Sequence, residues 1–304
     1  MKSLILGTAQ WGWSIPRETA FLLLDAWLKA GYSEVDAATN YPINQNPADF
    51  RAAEKILADY CQAHGLSNQL KVIVKVGSMD NMRSPEHNLS PSFLMMMTDE
   101  YRRILGQNLH GIMLHWDNRD DHEAVEQTLQ TLFSLQAEGI QPGLSGIKHP
   151  QVHADVNEQL KMNFSIEVKH NIFTSDLSRY KPFTEKSIGK HRFLAYGLSA
   201  GGLKFGQFTK TNGTFELRGG DRAAFEPRLA QVEALLPDFN LAFVRPPIVT
   251  MQQLGMIYAL GHPQIGGAII GPRSLPQLQE AIEWHHNTDI FDYQDVIKVL
   301  SKPF

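Results

Sequence analysis

The sequence predicts an α/β protein of the (β/α)8 TIM-barrel class, a closed ring of eight parallel strands wrapped by helices. Eight short apolar or β-branched runs alternate with helix-period segments along the 304 residues. Each strand must then reach the next through a crossover, and right-handed crossovers make a parallel sheet. No Pro/Ser-rich linker or low-complexity tract divides the chain. Residues 1–304 are therefore expected to form a single domain, since barrels of about 250 residues or more fold as one unit. The same alternation would also suit a doubly wound open sheet.

The elements follow in order. Residues 4–7, Leu-Ile-Leu-Gly, read as a buried strand, and residues 17–29 as a helix that Gly31 stops. Residues 34–37 form the second strand, and residues 48–64 a helix closed by Gly65. The β-branched run 71–76 is the third strand, followed by a helix over 91–105. Strand 111–115 precedes helix 123–138, and strand 143–147 precedes helix 152–160. Residues 164–168, 192–196 and 267–270 are the last three strands, and a helix covers 275–284. The glycine-rich stretch 201–220 reads as a long loop after the seventh strand.

Composition narrows the partners. The net charge is -4, and no Lys/Arg cluster builds a basic face, which argues against nucleic acid. No apolar run approaches the roughly 20 residues of a membrane span, and the N-terminal run is too short for a signal peptide. One cysteine, Cys61, cannot form an internal disulfide, which fits a reducing compartment and equally a secreted protein without disulfides. The expectation is a soluble cytoplasmic protein, a monomer or small homo-oligomer, acting on a small molecule.

Barrel enzymes carry their chemistry at the C-terminal ends of the strands. Asp36 ends the second strand, Lys75 the third and His115 the fourth, and Tyr41 lies in the loop five residues after Asp36. Taken singly, Asp36 could cap a turn, Tyr41 could pack in a loop, and His115 could be a bonded core histidine. A lysine inside Val72-Ile73-Val74-Lys75-Val76 is harder to dismiss, because burying it needs a carboxylate partner.

The segment Val35-Asp36-Ala37-Ala38-Thr39-Asn40-Tyr41 resembles the Asp-Thr-Ala-x-x-Tyr segment of the aldo-keto reductase family. Ala30-Gly31-Tyr32 before it, Leu6-Gly7-Thr8-Ala9-Gln10-Trp11-Gly12 at the start, Lys75 and Met113-Leu114-His115 are similar to that family in the same order. So are Gly143-Leu144-Ser145-Gly146, Asn171-Ile172-Phe173, the run Ala195-Tyr196-Gly197-Leu198 with Gly202-Leu203, and Ile270-Gly271-Pro272-Arg273-Ser274.

The resemblance implies reduction of an aldehyde or ketone with NADP(H), or alternatively NAD(H). Tyr41 would donate the proton, its phenol tuned by Lys75, which Asp36 would pair, while His115 would orient the carbonyl. The cofactor would lie across the barrel mouth, because no Rossmann glycine motif follows a strand. Gly7, Thr8, Ala9, Asp36, Ser145 and Glu167 would line its nicotinamide end. Tyr196 would stack on the ring, with Gly197 and Leu198 at the pyrophosphate. Gly271, Arg273, Gln277 and Glu280 would meet the adenosine end, Arg273 taking the phosphate.

Some positions depart from the family pattern. Gly146 stands where an asparagine is usual, Glu167 near a usual glutamine, and Ala281 for an asparagine. Segment 42–49 is longer than in compact members, and a hairpin plugging the barrel floor is expected to be absent or reduced. Trp11, Trp13 and Trp116 fall in loops at the mouth; packing in the core is the default use of such residues, and an aromatic wall for the substrate is the functional alternative, which assigns all three to substrate binding. Met95-Met96-Met97 reads as a helix turn and His285-His286 as a solvated helix end. His110, His115 and Asp117 invite a metal, but no second His-x-His strand or Cys pair supports one, so none is expected. Two other functions remain open: a cofactor-binding regulatory or assembly protein of the same fold, and a metal-dependent barrel hydrolase.

Overall fold

The computed structural model describes residues 2–185, 190–206, 222–241 and 244–302. Eight strands make the barrel: β1 (Ser3–Gly7), β2 (Glu34–Ala38), β3 (Lys71–Val76), β4 (Leu109–His115), β5 (Gln141–Ser145), β6 (Ser165–Asn171), β7 (Arg192–Tyr196) and β8 (Ile265–Ile270). Each pairs parallel to the next. The ring closes where β8 returns to β1, with Ser3 opposite Gly267 and Leu6 opposite Ile270. The open sheet is thereby ruled out. Thr174–Ser175 adds a two-residue antiparallel extension to β6.

Strands covered on both faces carry runs such as Val-Ile-Val rather than an alternating pattern. One face packs on the helices. Helix Arg17–Lys29 buries Ala20, Leu23, Leu24 and Trp27, a stripe at helical spacing. The other face points into the barrel. Alternate residues share a strand face, so Ile5, Ile73, Met113 and Leu194, all buried, form an apolar layer one step below the strand ends. At the opposite end Arg192 on β7 donates to both oxygens of Glu34 on β2, at 2.8 and 3.1 Å.

Several boundaries differ from the sequence expectation, for local reasons. The second helix is split into a single turn, Pro47–Asp49, and the helix Ala52–Ala63. Phe50 is extended and Arg51 left-handed, at φ 67°, so the chain turns between them. Strand β5 runs two residues earlier than expected, because Gly146 at φ 68° ends it. Helix Met251–Gly261, between β7 and β8, is absent from the sequence reading. Met251, Leu254, Met256, Ile257, Ala259 and Leu260 bury nearly all its faces, so it has no polar face to betray its period. Its start is fixed by a capping box of Thr250 and Gln253.

His285 also departs from expectation. The helix Leu275–Ile290 continues past it, and the ring is buried. Its Nε2 donates to the Lys2 carbonyl at 2.7 Å while Nδ1 accepts from the Tyr32 hydroxyl at 2.7 Å. His286 beside it is exposed. Most of the glycine-rich stretch 201–220 lies outside the described residues. No described helix is long and apolar enough to cross a membrane.

Leu24 is fully buried between its helix and the barrel. Leu24→Ala should therefore lower the unfolding free energy by about 2–5 kcal/mol in urea denaturation. A loss below about 1 kcal/mol would mean that this helix does not dock as described.

Candidate active site

The C-terminal ends of β2 to β6 bring five polar side chains into one ring. Asp36, Lys75, His115, Ser145 and Glu167 all line a single cavity of about 1510 Å³ at the barrel mouth. The parallel register explains the convergence, since Gly7 is opposite Asp36, His115 opposite Ser145 and Ser145 opposite Glu167.

Lys75 is the centre of the ring, and it is only 1 % exposed. Its ammonium donates to Asp36 Oδ1 and, at 3.1 Å, to Glu167 Oε1. Glu167 Oε2 in turn accepts from the Ser145 hydroxyl at 2.9 Å. Burial alone would strip the proton from Lys75, but the charges of Asp36 and Glu167, with Tyr41 beyond them, hold the ammonium well above its ordinary range. Burial and the Glu167 carboxylate push Asp36 well above the usual carboxylate range, against the pull of Lys75. Lys75 is therefore charged, and Asp36 is the member of the cluster that holds a proton more readily than an ordinary carboxyl.

The Lys75 ammonium lies 5.0 Å from the centre of the Tyr41 ring. Tyr41 is half-buried at the cavity wall. Its loop is tied down by Asn81, whose Nδ2 donates to the Asn46 carbonyl at 2.7 Å and to the Pro42 carbonyl at 3.3 Å. Burial, and then the Lys75 charge, hold His115 well below the usual imidazole range, so its ring is neutral. Its buried Nδ1 has no partner, which leaves Nε2 as the nitrogen available to a ligand.

Of the residues expected at a cofactor, Gly7, Ala9, Tyr196, Gly197, Leu198, Gly271, Arg273, Gln277 and Glu280 line the same cavity. Thr8 does not. It is buried, and both its amide and its hydroxyl bond the Asp36 carbonyl, at 3.1 and 3.0 Å, which ties β1 to β2. Gln277 accepts from the Arg273 amide at 2.8 Å at the start of its own helix, and Glu280 accepts from Gln253 at 2.7 Å, tying its helix to the start of the helix Met251–Gly261.

The residues present fit a dinucleotide. Gly271 has no left-handed φ, and a Cβ built there would meet nothing nearer than 4.0 Å. Neither packing nor conformation demands glycine at that point, and its bareness keeps the wall open for a close ligand. Arg273, half-buried at the rim, has no carboxylate partner among the described residues.

The tryptophans divide. Trp116 lines the cavity, with its ring 4.9 Å from that of His115. Trp11 does not belong to a substrate wall: residues 11–15 curl into a turn, with Gly12 bonded to Ile15, and Trp11 is fully buried in the core. Trp13 is left exposed on that turn and away from the cavity lining. Gly146 is explained by Trp116. Its φ is 68°, and a Cβ there would come within 2.5 Å of the Trp116 ring, so a side chain at 146 would be strained and would have to displace that ring. Asp117 is engaged by Arg119 at 2.8 Å and His153 at 3.0 Å, apart from the His115 site.

Sequence reasoning missed Asn81, Arg83 and Lys169, which also line the cavity. Lys169 lies two residues beyond Glu167 on the same strand face, a spacing that could have found it. Asn81 and Arg83 lie in the loop after β3, where no periodicity marks a position.

The sequence matches the profile of the Aldo/keto reductase family over residues 3–296. Among solved structures, an aldo-keto reductase from Bacillus halodurans in its holo form superposes with a TM-score of 0.70 at 17 % identity, over 99 % of this chain and 93 % of that one. At that identity the likeness concerns the fold. A search of curated proteins finds no match.

Lys75→Met would leave two buried carboxylates without their cation. The expected destabilisation is about 3–5 kcal/mol near neutral pH. Asp36, already above its ordinary range, would rise further. A carboxylate whose folded pKa exceeds its unfolded value stabilises below the unfolded value and loses that contribution as pH rises. The deficit against the natural protein in urea should thus shrink from about pH 8 to about pH 5. A deficit that ignores pH would refute the buried cluster.

Proposed function

The chain belongs to the aldo/keto reductase family, and we propose that it reduces an aldehyde or ketone to an alcohol with a nicotinamide cofactor, Tyr41 serving as proton donor. The observation that carries this reading is the Lys75 ammonium, buried between two carboxylates and 5.0 Å from the Tyr41 ring. A phenol with an ordinary pKa of about 10 gives up its proton more readily beside a cation. The substrate oxygen would lie between the Tyr41 hydroxyl and His115 Nε2. The neutral imidazole would donate a hydrogen bond and hold the carbonyl in line, without competing as an acid. When bound, a reduced nicotinamide supplies the hydride to the carbonyl carbon. Tyr41 transfers its proton to the oxygen, and Lys75 stabilises the phenolate left behind. In the reverse direction the phenolate takes the proton back.

Tyr196 would stack on the nicotinamide, and Glu167 would accept from its carboxamide NH2, since an ionised carboxylate only accepts. Gly7 and Ala9 face the same end. Gly197 and Leu198 would pass the pyrophosphate. Arg273 would take the adenosine phosphate, with Gln277 and Glu280 at the adenosine, favouring NADPH over NADH. Trp116 would form the aromatic part of the substrate wall. The whole chain would work as one barrel domain in the cytoplasm, as a monomer or small homo-oligomer. The lone and buried Cys61 fits that compartment.

Nicotinamide oxidation against a panel of aldehydes and ketones tests the activity. Tyr41→Phe removes one hydroxyl and keeps the ring. It should bind cofactor nearly as before and lose about 100-fold or more in turnover. Near-normal turnover would remove Tyr41 from the mechanism. Arg273→Ala should abolish the preference for NADPH in fluorescence titrations, because a guanidinium suits a phosphate. A preference that survives the substitution would place the phosphate elsewhere.

A further inference from the structure

One carboxylate would suffice to pair Lys75, and the barrel supplies two. Glu167 is 5 % exposed, with one oxygen on the Lys75 ammonium at 3.1 Å and the other on the Ser145 hydroxyl at 2.9 Å. An Asp36–Lys75 pair alone would be neutral. With Glu167 added, the floor carries one surplus negative charge when both carboxylates are ionised. It becomes neutral when the carboxylates hold one proton between them. The groups facing the cluster do not remove that surplus. His115 on β4 is neutral, while Ser145 on β5, Tyr196 on β7 and Tyr41 contribute hydroxyls. Lys169 stands one step further up β6, half-exposed, where water screens its charge.

We propose that Glu167 makes the cavity floor a negatively biased seat that favours the oxidised, cationic nicotinamide over the reduced, neutral one. This rests on the nicotinamide reading above. The two forms of the cofactor differ by one hydride, and hence by one positive charge on the ring. Their sugars, phosphates and adenine are the same. The ratio of their affinities therefore isolates what the protein does at the ring. In a dry site, one surplus charge near a cationic ring is strongly felt. The surplus exists only while both carboxylates are ionised, so the ratio should rise with pH as Asp36, held above the ordinary carboxylate range by burial and Glu167, gives up its proton. Every tenfold change in this ratio lowers the potential of the bound couple by about 30 mV, which makes the bound reduced cofactor a stronger hydride donor. Glu167 would thus be a positioning residue for Lys75 and a tuning residue for the cofactor.

The test is titration of NADP+ and NADPH into the natural protein and into Glu167→Gln, followed by fluorescence or calorimetry across a pH series. Glutamine keeps the volume and can still accept from Ser145. The ratio Kd(NADPH)/Kd(NADP+) should exceed that of the variant by about tenfold or more at the alkaline end. It should climb with pH in the natural protein and stay flatter in the variant. Equal ratios in the two proteins at every pH would overturn the proposal. If the variant does not fold, the natural protein decides alone: a ratio that does not move with pH overturns it. Should both forms bind with the ratio unmoved, the role of Glu167 falls and the nicotinamide reading stands. Should neither form bind, both fall together.

Discussion

An ammonium in the middle of a protein is the constraint around which this barrel is arranged. Removing such a charge from water costs several kcal/mol unless its donors are met. Here Lys75 on β3 is met by Asp36 on β2 and Glu167 on β6. Those strands lie on different sides of the ring, and only a closed barrel brings their side chains within reach of one nitrogen. The surrounding bonds preserve that reach. Thr8 ties β1 to the Asp36 backbone, and Ser145 holds the outer oxygen of Glu167. The apolar layer beneath removes water, so that each of these contacts carries more weight than it would at a surface.

The same constraint governs the neighbours. Burial, reinforced by this fixed positive charge, keeps His115 neutral, and the same charge stands 5.0 Å from the Tyr41 ring. One cation thus faces both a neutral imidazole and a phenol ring without a second ion beside them. The wall beside it is shaped by packing as well. Trp116 fills the space that a side chain at 146 would need, and the nearest carboxylate, Glu167, is already engaged by Lys75 and Ser145.

Much of this was legible from residue types and order. The β-branched run around Lys75 marks a central strand, and a lysine inside it announces a partner. Asp36 and His115 at neighbouring strand ends then point to one patch of the mouth. What stayed hidden depends on contacts distant in sequence or on loops without a period. The second partner of Lys75 stands 92 positions further along the chain and meets it only when that stretch folds back. Trp11 looked like a mouth residue because its segment reads as an extended loop, while the turn to Ile15 swings it into the core. Helix Met251–Gly261 is apolar on nearly every face, so its burial erased the pattern by which helices are read. Asn81 holds the Tyr41 loop through backbone carbonyls, which no side-chain pattern records.

The far end of the barrel has a consequence of its own. Glu34 and Arg192 clasp across its axis, and Ile5, Ile73, Met113 and Leu194 lie between that clasp and Lys75. The passage is a blind alley: nothing of molecular size leaves by the back. Any small molecule that reaches the buried ring around Lys75 must therefore come and go through the mouth, the same doorway in both directions.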